Sequence, residues 1–197
     1  MYPQQEENWE TLRGALPDYD WHEYGAKVDP SKPIGLLRKN TGITTFDLPT
    51  DAQWEYACLG GTAHPRFGVA YADLPKYAWY SDSDYTKYGA TGRREIQRVG
   101  LLLPNPYGLY DMLGNGSELC NDWHVDGDTY AKEGVLQIDP IGPAKPEGLQ
   151  HALHAASWNH GPDSQRSCAR AFAKSVFTHS QKNIYETYRL MCGIDMR

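Results

Sequence analysis

Apolar and polar residues follow a helical period over only two stretches, both in the first third of the chain. The first covers residues 32–40. Ser31 can cap its start, Pro33 suits its first turn, and Gly42 lies just past its end. This pattern predicts one short helix.

The second stretch, DAQWEYAC, has a stronger start motif. Thr50 followed three residues later by Gln53 is a capping box, in which each side chain accepts a hydrogen bond from the other residue's backbone. Gly60 and Gly61 follow the stretch and can adopt the left-handed conformation that ends a helix. Residues three and four apart form the predicted inward face: Trp54, Ala57 and Cys58.

Beyond residue 62 the pattern is dominated by loops that glycine and proline interrupt. Short strands are expected near 153–158 and 187–191, and the chain contains no internal repeat, low-complexity tract or linker. The pattern therefore predicts a single α+β domain that is irregular, loop-rich and low in regular secondary structure.

Composition narrows the function classes. The formal net charge of −6 over 197 residues disfavours a nucleic-acid binder, which needs clustered positive charge. No apolar run approaches the length of about eighteen residues that a membrane span needs. The first ten residues lack the basic start and apolar stretch of a signal peptide, so the default expectation is a cytoplasmic protein, and a monomer is favoured.

Several segments match, in order, the motifs of one superfamily. The longest are FDLPTDAQWEYACLGGT (46–62) and PNPYGLYDMLGNGSELCNDWH (104–124). The shorter ones are DPIGP (139–143), ASW (156–158), RSCAR (166–170) and YRLM (188–191). The chain thus resembles the sulfatase-modifying-factor, or formylglycine-generating-enzyme, superfamily. The resemblance implies a C-type-lectin-like α+β fold over residues 33–197, preceded by an abbreviated N-terminal segment, 1–32.

The resemblance does not extend to the catalytic thiols. Enzymes of this superfamily that make formylglycine use two cysteines after the Ser-Trp motif, which bind copper(I) and exchange with the substrate thiol. The residues two and seven positions after Trp158 are His160 and Gln165, and residues 121–167 contain no cysteine. We therefore expect no copper site, no catalytic residue of this type and no formylglycine synthesis.

The resemblance leaves two alternatives for the cysteines. Some superfamily members bridge a cysteine of the EYAC-like helix to one near the later arginine segment, which implies a Cys58–Cys168 disulfide. The other alternative is that both are buried free thiols, because free cysteine behaves as a small apolar residue. Cys120 occupies a frequent superfamily position and is expected in the core.

A structural calcium ion is implied by the same resemblance. Calcium prefers six to eight oxygen ligands of mixed type. The ligands carried over are the carboxylates of Asp111 and Glu118 and the backbone carbonyls of Gly114 and Gly116. The alternative is that the two carboxylates cap local turns.

Two further metal patterns are weaker. Residues 122–133 fit an EF-hand loop except at His124, but no convincing helix flanks them. His151 and His154 are three residues apart, and in a strand such residues point to opposite faces, so shared metal binding is not expected. One of the two is expected to face inward and the other to be solvated.

Without catalytic thiols, the favoured hypothesis is a non-catalytic ligand-binding protein that uses the loops after Trp158. Its partner would be a protein or a small molecule, and one version is a retroelement-diversified variable protein. The alternative is a formylglycine-generating oxidoreductase, or another enzyme that uses His154 and His160 of the same groove. The candidate ligand-binding residues are Trp158, Asn159, His160, Asp163 and Gln165.

Overall fold

Short helices and short strands alternate with long irregular segments. The computed structural model describes residues 9–15, 27–124, 140–142, 150–174 and 186–192. The α-helices are α1 (Trp9–Arg13), α2 (Pro33–Thr41) and α3 (Asp51–Leu59), and 3-10 turns cover Tyr71–Lys76 and Pro162–Ser164. The strands are β1 (Phe46–Asp47), β2 (Ala78–Trp79), β3 (Leu113–Gly114), β4 (Ser117–Trp123), β5 (Gln150–His154), β6 (Arg170–Lys174), β7 (Glu186–Tyr188) and β8 (Met191–Cys192).

The largest sheet has four strands in the order β6-β5-β4-β7. Its β4–β5 and β5–β6 pairs are antiparallel and its β4–β7 pair is parallel. Two smaller sheets pair β1 with β8 and β2 with β3. This mixture confirms the α+β prediction and the expectation of little regular structure.

The capping box of α3 is present as predicted. Thr50 Oγ1 accepts from the backbone N–H of Gln53, and Gln53 Oε1 accepts from the backbone N–H of Thr50, at 3.2 and 2.9 Å. Gly60 ends the helix with a φ of +60°. Asn105 then donates through Nδ2 to the carbonyl of Ala57 at 2.6 Å, so the last turn is tied to the loop before β3.

The first predicted helix also forms, but its start differs. The N-cap is Lys32, which makes no capping hydrogen bond through its side chain. Ser31, the expected cap, instead donates its hydroxyl to Asp29. Pro33 occupies the first helical position, where its lack of an N–H costs nothing, and Gly42 caps the end in the left-handed conformation.

Both faces of the four-stranded sheet are covered, since all seven residues of β4 are buried. One apolar cluster includes Trp54 of α3 and Cys120 of β4, and a second includes Trp9 of α1 and Leu119 of β4. A strand buried on both faces lacks the alternation that reveals strands in sequence, which explains why β4 was not predicted. The division of the chain at residue 32 stays a prediction.

The histidine prediction for β5 was half right. His151 and His154 do lie in separate environments, but both are buried, at 1% and 0% exposure. His151 stacks between Trp9 and Trp123, with ring centroids 4.7 and 4.0 Å away. His154 stacks on Trp54 at 4.5 Å. The prediction that one of the two histidines is solvated is wrong, because both faces of the sheet are covered.

The cysteines are all free thiols, so the implied Cys58–Cys168 disulfide is not formed. Cys58 is buried and donates its Sγ–H to the carbonyl of Met112 at 3.4 Å, whereas Cys168 is exposed. The alternative of two buried free thiols is therefore correct for Cys58 and wrong for Cys168. Burial raises the pKa of the Cys58 thiol. Cys120 is fully buried, as expected.

Candidate functional site

The loop after β5 carries the predicted binding residues and is held by backbone hydrogen bonds. The N–H of Trp158 donates to the carbonyl of Asn115 at 2.9 Å, and the carbonyl of His160 accepts from the N–H of Ser81 at 3.0 Å. At the far end, the N–H of Ser167 donates to the carbonyl of Pro65 at 2.7 Å. The loop path is thus fixed by contacts that any residue can make.

Two of the predicted residues converge on one hydroxyl. Ser157 Oγ donates to Asn159 Oδ1 and lies 3.0 Å from His160 Nδ1. Ser157 is 1% exposed, while Asn159 and His160 are exposed. The turn therefore presents an amide and an imidazole to solvent in a fixed arrangement.

Gln165 differs from its neighbours because it is fully buried. Its Nε2 is 3.5 Å from the carbonyl of Gly161, and its Oε1 has no hydrogen-bond partner within the described ranges. A buried amide in this position braces the loop from beneath. It does not present a group to a ligand, which removes Gln165 from the surface that the sequence suggested.

A concave surface of about 540 Å³ lies beside this loop. It is lined by His64, Pro65, Arg66, Tyr71, Asp163, Ser164 and Arg166. Of the predicted ligand-binding residues that the structure describes, only Asp163 is among these lining residues.

Tyr71 connects the two sides of this concavity. Its hydroxyl donates to Asp163 Oδ1, and the guanidinium of Arg66 lies over its ring, with Cζ 4.1 Å from the centroid. Sequence reasoning missed the segment 64–71, because HPRFGVAY has no period. The histidine, arginine and tyrosine of this segment were the sequence feature that could have indicated a binding surface.

Glu118, predicted as a calcium ligand, has both carboxylate oxygens occupied. Oε1 accepts from Arg189 Nη2 at 2.8 Å, and Oε2 accepts from Arg189 Nε at 2.8 Å and from Trp54 Nε1 at 2.7 Å. Arg189 Nη2 also donates to the carbonyl of Tyr110 at 2.9 Å. Burial alone would lower the pKa of Arg189, but the charge and hydrogen bonds of Glu118 outweigh it and raise that pKa.

Asp111 is a buried carboxylate on strained backbone, with a φ of +55°. Its Oδ2 accepts from the N–H of Gly100 at 2.7 Å, and its Oδ1 has no hydrogen-bond partner in the described part of the chain. Burial raises the pKa of Asp111, although the Gly100 hydrogen bond and Arg189 act in the opposite direction.

Only part of the predicted calcium ligand set fits an ion as it stands. Asp111 offers an oxygen, but the Glu118 carboxylate already holds a cationic guanidinium. The other two predicted ligands are the backbone carbonyls of Gly114, in β3, and of Gly116, which directly precedes β4. Calcium binding stays a prediction, and a calcium ion on Glu118 would have to compete with Arg189.

The weaker metal patterns gain no support. Asp122 accepts from the backbone N–H groups of Asp51 and Gly142 through its two oxygens, at 2.6 and 2.7 Å, so it joins loops. The rest of the EF-hand-like segment, 125–133, lies outside the described residues. Among described residues, no three His, Cys, Asp or Glu side chains cluster as a metal site would require.

Comparison with known proteins identifies the family. Residues 16–183 match the sulfatase-modifying factor enzyme 1-like domain. The chain belongs to this family. The fold is therefore the α+β fold of the formylglycine-generating-enzyme type, as the resemblance implied.

Proteins that are similar to this chain carry different names. The formylglycine-generating enzyme of Bos taurus is 34% identical over 116 residues, which cover 56% of this chain and 29% of that protein. The serine/threonine-protein kinase pkn1 of Chlamydia pneumoniae is 34% identical over 123 residues, or 62% of this chain and 18% of that protein. The solved structure of Treponema denticola variable protein 1 is similar with a TM-score of 0.60 and 30% identity, covering 89% of this chain and 54% of that one.

The chain therefore spans less than a third of the length of these two relatives. Family membership fixes the fold, but the similar proteins include an enzyme that makes formylglycine and a protein named as a kinase, so similarity does not fix an activity. No helix in the described ranges has the length and apolar character that crossing a bilayer requires.

The two positions at which the sequence resemblance places catalytic thiols, 160 and 165, lie in unlike environments here. His160 is exposed on the turn after Trp158, whereas Gln165 is buried beneath the loop. The nearest cysteine in sequence, Cys168, is exposed and free. Neither position carries the soft thiolate that copper(I) prefers.

Proposed function

We propose that this chain is a non-catalytic member of the sulfatase-modifying-factor family that binds a ligand beside the loop 157–166. The observation that carries the proposal is the substitution of both thiol positions, by exposed His160 and by buried Gln165. Thiol exchange needs a nucleophilic thiolate, and neither residue supplies one. A scaffold that keeps its loops in place without the reactive groups is suited to recognition.

The geometry around the loop supports binding. A concavity of about 540 Å³ lies within the range typical of small-molecule sites, and it is lined by aromatic and charged side chains. Backbone hydrogen bonds hold Trp158 and His160 against the rest of the fold, which lowers the entropy lost when a ligand binds. The ligand is a small molecule or a protein, and the chain acts as a monomer in this proposal.

The proposal includes a version in which the loops are diversified by a retroelement. Its support is the similarity to Treponema denticola variable protein 1, at 30% identity. The version requires a near-copy of the 3′ coding end downstream of the gene, differing at adenines, beside a reverse-transcriptase gene. Absence of such a copy would leave a binding protein with fixed loops.

A second candidate is an enzyme of this fold, and one observation favours it. Ser157 Oγ lies 3.0 Å from His160 Nδ1, the separation expected of a hydroxyl and its general base. The same hydroxyl donates to Asn159, however, and Ser157 is almost fully buried, which limits attack on a substrate. We therefore rank formylglycine synthesis and histidine-based catalysis below binding.

A peptide assay tests the proposed function. A cysteine-bearing sulfatase peptide is incubated with the protein, copper and oxygen, and mass spectrometry follows formation of the aldehyde. We expect no aldehyde above the blank, with a formylglycine-generating enzyme as the positive control. Aldehyde formation, or any turnover that His160→Ala abolishes, would refute the proposal.

A further inference from the structure

The concavity beside the loop is positively charged in a chain whose formal net charge is −6. Arg66 and Arg166 both line it, and Asp163 is the acidic side chain on its wall. In the part of the chain that the structure describes, neither arginine forms an ion pair with a carboxylate. Two guanidinium groups that form no ion pair among the described residues therefore share one concave surface with a single carboxylate.

Arg66 is held in a fixed orientation. Its guanidinium lies over the Tyr71 ring, with Cζ 4.1 Å from the centroid, which restrains a side chain that is otherwise flexible. Its Nε is buried and has no hydrogen-bond partner among the described atoms. Because this atom is shielded from solvent, a ligand in the concavity can reach Arg66 only through its Nη groups.

The other lining groups are compatible with an anion. The Tyr71 hydroxyl donates to Asp163 Oδ1, so that carboxylate oxygen is already engaged. His64 Nδ1 lies 3.4 Å from the backbone N of Arg66 and accepts from it. A neutral imidazole that accepts at Nδ1 carries its proton at Nε2, which makes His64 an additional donor.

We propose that this concavity binds an oxyanion, the carboxylate or phosphate group of a ligand, between Arg66 and Arg166. Planar guanidinium groups bind such oxygens through paired, charge-assisted hydrogen bonds, which the Nη groups of Arg66 and the guanidinium of Arg166 donate. The Tyr71 ring orients the Arg66 guanidinium through their cation–π contact. This inference rests on the proposed function only in placing the ligand beside the loop 157–166.

Titration calorimetry with two probes, inorganic phosphate and N-acetylglutamate, tests the inference. We expect saturable binding of at least one probe, and which one binds distinguishes a phosphate source from a carboxylate source. Arg66→Gln and Arg166→Gln should each weaken binding about tenfold, since one charge-assisted contact contributes roughly that factor. Tyr71→Ala should weaken it as well, because Arg66 loses its support.

Arg98→Gln is the matched control. Arg98 is exposed, is not among the residues lining the concavity, and loses the same charge when substituted. We expect it to bind the probe within about twofold of the wild type, since diffuse surface charge contributes little at physiological salt. Equal weakening by Arg98→Gln, or no binding of either probe up to about 50 mM, would overturn the inference.

The failure of this inference and that of the proposed function are separable. The aldehyde assay does not depend on Arg66 or Arg166, so aldehyde formation would refute the non-catalytic proposal and leave the oxyanion site standing. Loss of probe binding would remove the oxyanion site and leave a non-catalytic protein with a ligand of another class. Melting curves of the variants show whether each one folds.

Discussion

Replacing Arg189 by methionine should destabilise the fold strongly. Methionine keeps most of the side-chain stem and removes the guanidinium. In the part of the chain that the structure describes, the buried Glu118 carboxylate then keeps Trp54 Nε1 as its hydrogen-bond donor. The side chains of Arg189 and Glu118 are 26% and 8% exposed, so water can compensate for little of the loss.

The magnitude follows from the burial. Removing one partner of a fully buried ion pair costs about 3–5 kcal/mol, because the remaining charge is left uncompensated. Partial exposure of Arg189 reduces this to roughly 2–4 kcal/mol. For a chain of this size each kcal/mol lowers the melting temperature by about 2–4 °C, so Arg189→Met should melt roughly 5–15 °C below the wild type.

Thermal and urea unfolding, followed by circular dichroism, measure the effect. Arg98→Met is the matched control, since Arg98 is exposed and loses the same charge; it should change stability by less than about 0.5 kcal/mol. The double variant Glu118→Gln/Arg189→Met should recover part of the loss, because it no longer buries an unpaired charge. An Arg189→Met protein within about 1 kcal/mol of the Arg98→Met control would show that this pair does not hold the segment between β7 and β8 to β4.

Three further predictions concern Asp111, Glu118 and the α3 cap. Burial raises the pKa of Asp111, so the folded state holds this proton more tightly than the unfolded state, and stability falls as pH rises from the ordinary carboxyl range through the raised pKa. Urea titrations should therefore show that Asp111→Asn gains more stability relative to wild type at pH 7 than at pH 4. An equal stability difference at the two pH values would contradict this prediction. If calcium binds as the family resemblance implies, a chelator lowers the melting temperature of the wild type and leaves Glu118→Gln unaffected, whereas an unchanged wild-type curve would refute the site. Thr50→Ala should cost about 1 kcal/mol by removing the acceptor for the Gln53 N–H, and an unfolding free energy equal to wild type would show that the cap contributes nothing.

The elements that were predictable from sequence are those with a local cause. The start of α3 depends on hydrogen bonds between Thr50 and Gln53, and its end on a glycine that can adopt positive φ, so neighbouring residues were sufficient. The cap of α2 failed because Ser31 found a competing acceptor in Asp29, two residues away. That competition depends on the path of the loop before the helix.

The site was less predictable because its residues meet through long-range contacts. Arg189 lies 71 residues from Glu118, and no spacing rule connects them. Tyr71 and Asp163 are 92 residues apart. Residue type did indicate the loop after Trp158, but whether a side chain there is exposed like His160 or buried like Gln165 depends on what packs beneath it.

The way in which the loop after β5 is attached has a consequence for how this protein can change. The bonds from Trp158 to Asn115, from Ser81 to His160 and from Ser167 to Pro65 all join backbone atoms. Such bonds do not depend on which side chains the loop carries. Exposed positions such as 159, 160 and 163 can therefore accept many substitutions without altering the course of the chain, and the chemistry of this surface can change at little cost in stability.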